Sequence, residues 1–367
     1  MKLRRLLATL LVFILPFWST TAWATLLYSG GEDVDFVCSL GGTCLITDAP
    51  GTFRAGWARE SYKTFGTISD PPTNRFETST FAPSTSLWTH AQYCNVYNYG
   101  CEVNATTANT QMLRLMDSNG NAALIVRGAG VTGGLKISSR TATGTLTDLV
   151  TCPSAFGIAL TQLDIYANYS SSGEVALYSN SVKVCGFTGD VTNGDGATTL
   201  NKVEFASPLS GYYGAWSEVI IATTDTRTMA RFTANTVANG NTVNFSGTNV
   251  CSSIWNATTA NDANYAYSGS SNVVHECTIK STIPPGAYNV LALVMSGRAL
   301  VGSSGPQHFD FLVRLNGTDY PSPDLGPTNS FSNITNYIQA VNPATTAPWA
   351  VSDFQAAGFN VGAKTKP

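Results

Sequence analysis

Charge is scarce in this 367-residue sequence, because only 12% of the residues are Asp, Glu, Lys or Arg. Histidine is scarcer still, with three examples (His90, His275 and His308), which limits histidine-based catalysis and metal binding. The net charge is −3, and it becomes −6 (17 basic against 23 acidic residues) once residues 1–24 are removed. This balance excludes the general basic surface that nucleic-acid binding needs. Aromatic residues reach 11%, however, which argues against intrinsic disorder.

Residues 1–24 have the features of a secretory signal peptide. A positively charged start, Lys2 to Arg5, precedes an apolar stretch from Leu6 to Trp18. Ala22-Trp23-Ala24 then fits the small-x-small cleavage rule, so we expect the mature chain to begin at Thr25. No other long apolar run follows, and we predict a secreted or cell-surface protein whose mature form has no membrane span.

All eight cysteines follow the predicted signal peptide. An even number in an exported chain indicates disulfide bonds, although eight cysteines allow 105 pairings. The sequence has no Cys-x-x-Cys pair, so we predict no metal–thiolate centre. Proximity along the chain favours the pairs Cys38–Cys44, Cys94–Cys101, Cys152–Cys185 and Cys251–Cys277.

Strand patterns dominate the chain. Leu163-Asp164-Ile165-Tyr166-Ala167 alternates apolar and polar residues, and short apolar segments such as Val175–Tyr178 recur between clusters of turn residues. These patterns predict an all-β protein made of two β-sandwich, jelly-roll-like domains in series after the signal peptide. We place the boundary near Ser207–Gly211, which gives domains over residues 25–208 and 209–367.

Two stretches resemble known families. Leu163–Tyr166, Gly173–Asn180 and Val182–Val184 form a predicted hairpin that resembles the laminin-G-like, concanavalin-A-like jelly roll, and this likeness extends over residues 26–207. It implies a sandwich of two sheets in the first half of the chain.

The second half is similar to a β domain found in structural proteins of tailed phages. The similar residues include Trp216–Ile221, Asp225-Thr226-Arg227 and Ala356–Lys364, and the likeness covers residues 211–366. Phage virion proteins normally carry no signal peptide, so the resemblance implies a related protein used outside the cell. It implies as partners copies of the same chain or other surface or virion proteins.

The segment from Tyr93 to Cys101 is the most suggestive binding loop. A Cys94–Cys101 bond would hold its aromatic side chains rigidly, sugar rings stack on aromatic faces, and asparagine amides bind hydroxyl groups. Contact with a glycan, contact with a protein and packing beneath a surface loop all remain open for these residues. The candidate ligand-binding residues are Tyr93, Asn95, Tyr97, Asn98 and Tyr99.

Calcium is the one cofactor that the sequence suggests. Asp190, Asn193 and Asp195 resemble a calcium loop by composition, but the spacing differs from that of an EF-hand. A loop rich in Asn-Gly and Asp-Gly is the alternative interpretation. No other metal or cofactor is predicted.

Two segments match part of a catalytic or cofactor-binding motif but lack the residue or element that the motif requires. Gly128–Gly133 matches GxGxxG, but a strand-like Leu135–Ser138 follows where a dinucleotide site needs a helix. His275-Glu276 begins HExxH, and Ile279 occupies the place of the second histidine.

We therefore hypothesise a non-enzymatic structural or adhesive protein that packs into an extracellular or virion-like assembly, with glycan contacts. The alternatives are a secreted lectin-like protein acting alone and, third, a glycan-cleaving enzyme.

Overall fold

The computed structural model describes a large part of the chain after the predicted signal peptide. The described residues are 25–30, 35–39, 45–48, 60–65, 75–97, 100–101, 106–157, 160–206, 213–232, 234, 236–247, 251, 265–279 and 288–367. Residues 1–24 lie outside this set.

Antiparallel strands make up almost all of the regular structure in these residues. The strands in the first half of the chain are β1 (Leu26–Gly30), β2 (Phe36–Ser39), β3 (Leu45–Asp48), β4 (Glu60–Phe65), β5 (Arg75–Thr78), β6 (Ser86–Tyr97), β7 (Gly100–Cys101), β8 (Gln111–Asp117), β9 (Ala122–Gly128), β10 (Leu135–Arg140), β11 (Leu146–Cys152), β12 (Thr161–Asn168) and β13 (Gly173–Ser179). The remaining elements are β14 (Val182–Gly189), β15 (Leu200–Phe205), β16 (Tyr213–Ala222), β17 (Thr236–Val243), β18 (Val274–Ile279), β19 (Leu293–Ala299), β20 (His308–Leu315), β21 (Thr318–Pro321), β22 (Ser332–Gln339), the helix α1 (Val351–Gln355) and β23 (Phe359–Lys366).

Two large sheets form a sandwich. Sheet 1 has the order β14-β13-β12-β6-β16-β4-β3, and β7 pairs with β6. Sheet 2 has the order β11-β10-β9-β8-β15-β5-β2. The apolar residues of both sheets face each other, because alternate side chains of a strand point to opposite faces. The all-β sandwich that the sequence predicts is thus confirmed.

Strand β16 lies in the middle of sheet 1. One edge pairs with β6, while its other edge pairs with β4 near Tyr213 and with β1 near Ala222. Trp216, which the sequence analysis assigned to the second domain, therefore packs in the first sandwich. The predicted boundary between residues 208 and 209 lies between β6 and β16 in the sequence. These two strands pair with each other in sheet 1, so the boundary separates strands of one sheet. The division into two domains itself stays a prediction.

Aromatic side chains fill the centre of the sandwich. Phe76 and Phe205 stack with ring centres 5.3 Å apart, and Trp216 lies 5.0 Å from Phe205. The indole of Trp216 also donates a hydrogen bond to the carbonyl of Ala206 at 2.9 Å. Its polar atom is therefore satisfied although the side chain is only 1% exposed.

The outer face of sheet 2 carries buried charge. The Glu204 carboxylate, 2% exposed, lies 2.6 Å from Arg114 and 3.1 Å from Arg75. Lys202 approaches the same carboxylate at 3.6 Å and binds Glu77 at 3.1 Å. Burial raises the pKa of Glu204 despite the cations that face it. The pairing compensates part of the cost of burying these charges.

A second core lies among the later strands. The order of sheet 3 is β17-β18-β23-β20-β21, and β19 pairs with β22 in a separate two-stranded sheet. Phe311, Val313 and Phe359 pack together with Trp349, whose indole donates to the carbonyl of Gln339 at 2.8 Å. Within the residues that the structure describes, no helix is long and apolar enough to cross a membrane.

Candidate functional site

Three aromatic side chains lie together on the outer face of sheet 1. Leu87 and Leu163 point into the core, so their neighbours along the alternating strands point outward. Trp88 lies opposite Tyr166 in the β6–β12 register, with ring centres 5.0 Å apart. Tyr178 of β13 lies 5.3 Å from Trp88. All three rings are partly exposed to solvent.

The chain crosses this face directly after β16. We call residues 223–231 the strap. The Thr226 hydroxyl donates to Asp164 at 2.7 Å, and the Gln162 amide donates to the carbonyl of Arg227, also at 2.7 Å. These bonds hold the strap against β12, because Gln162 and Asp164 both project from the outer face of that strand.

The end of the strap is fixed as well. Arg231 binds the carboxylate of Asp35 at 2.9 Å, and that carboxylate is 1% exposed. Asp35 belongs to the acidic run at residues 32–35, whose first three residues lie outside the described part of the chain. Its ion pair makes Asp35 a structural residue of the first sandwich.

Arg227 places a cation over the aromatic rings. Its guanidinium carbon lies 4.6 Å from the ring centre of Tyr178 and 5.4 Å from that of Trp88. Asp225 accepts hydrogen bonds from Arg227 at 3.0 Å, and these bonds lower the pKa of Asp225. The Arg227 side chain remains 34% exposed. The face therefore presents a positioned guanidinium beside aromatic rings, and a guanidinium can donate hydrogen bonds to carboxylate or phosphate groups.

Buried polar residues position the strap from below. Asp164 accepts from His90 Nδ1 at 2.8 Å and from Gln162 at 2.7 Å, in addition to Thr226. Neither His90 nor Asp164 has exposed side-chain surface. His90 Nε2 makes no hydrogen bond in the described structure. With the strap in place both side chains are covered, and the bond from His90 holds Asp164 where Thr226 binds it.

We define the aromatic–arginine cluster as Trp88, Tyr166, Tyr178 and Arg227. No local sequence pattern indicates the cluster as a whole, because its residues are spread over positions 88 to 227. One pattern could have indicated part of it. Ser86–Gln92 alternates core residues with serine, tryptophan, histidine and glutamine, which is unusual for a solvent-facing strand surface.

Tyr93 does not belong to a ligand-binding surface. Its exposed fraction is 0%, and its ring lies 4.6 Å from Trp216 and 5.3 Å from Phe156. The prediction fails because Tyr93 shares the core-facing side of β6 with Leu87. Within the described part of the segment, Tyr97 of β6 pairs with Gly100 of β7. The side chains of Asn95, Tyr97, Asn98 and Tyr99 lie outside the described structure.

The calcium candidates organise their own loop. Asp190 accepts hydrogen bonds from the backbone and hydroxyl of Thr192, which lower the pKa of Asp190. The Asn193 amide donates to Asp117, a fully buried carboxylate whose pKa is raised by burial. Asp195 accepts a hydrogen bond from a neighbouring asparagine at 2.6 Å. These bonds explain the loop conformation, and calcium binding stays a prediction.

Two of the predicted disulfide bonds are present. Cys152 at the end of β11 is bonded to Cys185 of β14, which ties sheet 2 to sheet 1. Cys251 is bonded to Cys277 of β18. Cys94 is also disulfide-bonded. The side chains of Cys38, Cys44 and Cys101 lie outside the described structure.

His275 lies beside the second disulfide. Its Nε2 is 3.3 Å from Cys251 Sγ, and burial lowers the pKa of His275. Three potential ligand atoms of Cys251, His275 and Cys277 lie within 4.8 Å of one another. Because both sulfurs are in the disulfide, they are not thiolate ligands.

The GxGxxG segment, Gly128–Gly133, joins β9 to β10 as a hairpin and precedes no helix.

The strand pairing and the cluster define an all-β sandwich protein with an aromatic, cation-bearing outer face. No protein-family model and no curated protein matches the chain. The resemblances to laminin-G-like and phage structural domains therefore stay predictions.

Several solved structures are similar to part of the chain. An endo-β-1,4-glucuronan lyase from the fungus Trichoderma reesei is 10% identical, and the match covers 54% of this chain and 94% of the lyase with a TM-score of 0.38. The carbohydrate-binding module CBM66 from Bacillus subtilis is 10% identical over 52% of this chain and 95% of the module, with a TM-score of 0.31. Domain 4 of the extracellular arabinanase AbnA from Geobacillus stearothermophilus is 16% identical over 59% of this chain and 87% of that domain, with a TM-score of 0.32. All three names refer to carbohydrates, but the similarities are too low to define the activity of this chain.

Proposed function

We propose that the protein is exported and adheres to glycans without cleaving them. The observation that carries this proposal is the aromatic–arginine cluster on the outer face of sheet 1. Carbohydrate rings present C–H groups that stack on aromatic faces, and the Arg227 guanidinium offers donors to hydroxyl and carboxylate oxygens. Rigid strands hold the rings, so little side-chain freedom is lost on binding.

The covalent structure and the N-terminal sequence support the proposed compartment. The two disulfides Cys152–Cys185 and Cys251–Cys277 are typical of proteins outside the cytoplasm. Together with the predicted signal peptide, they support a secreted or cell-surface location.

Binding to a glycan array tests the proposal, with the mature protein compared with Arg227→Gln and Tyr178→Ala. Removal of a charge-assisted contact is expected to weaken binding roughly 10- to 100-fold, and removal of a stacking ring about 3- to 10-fold. Lys136→Gln, on the outer face of the opposite sheet, is the control and should bind as the unaltered protein does. Equal binding by all variants would contradict the proposed surface.

Cleavage is tested separately. Incubation with the bound polysaccharides, read as new reducing ends over a range of pH, is expected to show no release. Release that requires the folded protein would make it an enzyme.

Assembly into an extracellular or virion-like surface layer is the second candidate function. The observation that favours it is β14, which is an edge strand of sheet 1 within the described part of the chain and whose Val182 is 69% exposed. Edge strands offer unpaired backbone groups to another chain. Size-exclusion chromatography and electron microscopy test this candidate, and a strictly monomeric species at every concentration and salt would count against it.

A further inference from the structure

Two tyrosines outside the aromatic–arginine cluster are unusually exposed. Tyr265 is 53% exposed and Tyr267 is 57% exposed, and they are the most exposed aromatic side chains in the described residues. Large apolar groups that expose half of their surface side by side indicate a surface that contacts something else. Packing in the second core does not explain them, because both rings lie outside that core.

The ring of Phe331 extends the two tyrosine rings into a row of three. The ring centre of Tyr265 lies 6.0 Å from that of Tyr267 and 6.0 Å from that of Phe331, with tilts of 59° and 57°. The guanidinium carbon of Arg298 lies 5.8 Å from the ring centre of Phe331. We define Tyr265, Tyr267, Phe331 and Arg298 as the tyrosine patch.

Paired backbone holds both ends of the tyrosine patch. Tyr267 exchanges two backbone hydrogen bonds with Ser246, at 2.8 and 3.1 Å. Arg298 lies in β19 opposite Asn333 of β22, and Phe331 directly precedes β22. Rings on fixed backbone lose little freedom when a ligand binds, so a modest contact area is enough for measurable affinity.

We propose that the tyrosine patch is a second glycan-binding site, selective for glycans that carry an anionic group such as a carboxylate or a sulfate. The tyrosine rings stack on the sugar rings, and Arg298 binds the anionic group next to them. The tyrosine patch shares no residue with the aromatic–arginine cluster, so the site stands independently of the proposed function. Two sites on one chain bind a long polymer more tightly than either site alone, by roughly 100-fold when both engage the same molecule.

Three polymers serve as probes in near-physiological salt: polygalacturonate for carboxylates, dextran sulfate for sulfates, and neutral dextran. Arg227→Gln is the background, because it is expected to weaken the first site roughly 10- to 100-fold. In this background Tyr267→Ala is expected to weaken binding to a charged polymer about 3- to 10-fold. Arg298→Gln should weaken binding to the charged polymers and leave dextran unchanged. Val243→Ala, at a side chain 41% exposed in the same half of the chain, is the matched control.

The outcomes separate the two proposals. Binding that survives Arg227→Gln and falls with Tyr267→Ala supports the tyrosine patch. Binding that Arg227→Gln abolishes even at polymer concentrations roughly 100-fold higher overturns the tyrosine patch and leaves the first site standing. Binding to no charged polymer by any form of the protein overturns the tyrosine patch, whereas the glycan array decides on the first site. Unchanged thermal midpoints in the variants show that the losses of binding are not due to unfolding.

Discussion

Replacing Thr226 with valine should release the strap from sheet 1. The Thr226 hydroxyl is completely buried and donates to the Asp164 carboxylate at 2.7 Å. Valine keeps the shape and removes this single bond, while Asp164 keeps its bonds to His90 and Gln162. A hydrogen bond to a charged group contributes about 1.5–3 kcal/mol, so the open form of the strap should become roughly 10- to 100-fold more populated.

Limited trypsin digestion measures this population. The carbonyl of Arg227 accepts a hydrogen bond from Gln162, so the bond that follows Arg227 is protected while the strap is docked. When opening and closing are fast, the cleavage rate follows the population of the open form. We expect mass spectrometry to detect the fragment that begins at Thr228 about 10- to 100-fold faster in Thr226→Val than in the unaltered protein.

The neighbouring Thr224 supplies the control. Its hydroxyl is buried and makes no hydrogen bond in the described structure, so Thr224→Val removes nothing comparable. If Thr226→Val is cut no faster than Thr224→Val, the strap is not held by the bond to Asp164, and the account of this face is wrong.

Three further predictions concern stability. Glu204→Gln leaves two arginines without their buried carboxylate and should lower the free energy of unfolding by about 3–5 kcal/mol, measured by thermal or urea unfolding. Glu77→Gln replaces a more exposed carboxylate and should lower it by about 1 kcal/mol or less. Similar losses in the two variants would refute the buried network. Partial burial alone would raise the pKa of Asp148, but hydrogen bonds from three neighbours hold that pKa at about 2, so its contribution is present above about pH 4 and is lost as the pH falls towards 2. Asp148 is 42% exposed, so the acid-induced loss should be about 1 kcal/mol or less and absent in Asp148→Asn. Replacing Cys152 and Cys185 by serine should cost about 3–4 kcal/mol in the chain-entropy model for a separation of 33 residues, and an unchanged unfolding midpoint would contradict it.

Local sequence patterns predict the strands but not their partners. The alternation in Thr161–Asn168 identifies β12 and its buried face, because side chains of a strand alternate between core and solvent. Nothing local indicates that β16 lies between β6 and β4, so Trp216 was assigned to the second domain. That pairing joins segments more than 100 residues apart, and only the assembled core selects it.

The same limit explains the errors at the candidate site. Tyr93 attracted attention because it precedes a cysteine-bounded segment, yet its parity with Leu87 and Ala91 on β6 already places it in the core. The bond from Thr226 to Asp164 spans 62 residues, and Arg227 meets Trp88 through the fold alone. The disulfide pairs Cys152–Cys185 and Cys251–Cys277 are predictable from the sequence, because each joins two cysteines that are consecutive cysteines along the chain.

The indole N–H resonance of Trp88 gives the most direct test of glycan binding by the first sandwich. The resonance is assigned with Trp88→Phe and followed by NMR during titration with the oligosaccharide that binds most strongly on the array. A saturable shift that disappears in Arg227→Gln is the result that we expect. Saturable binding of the oligosaccharide with no change at the Trp88 indole would contradict the proposed site.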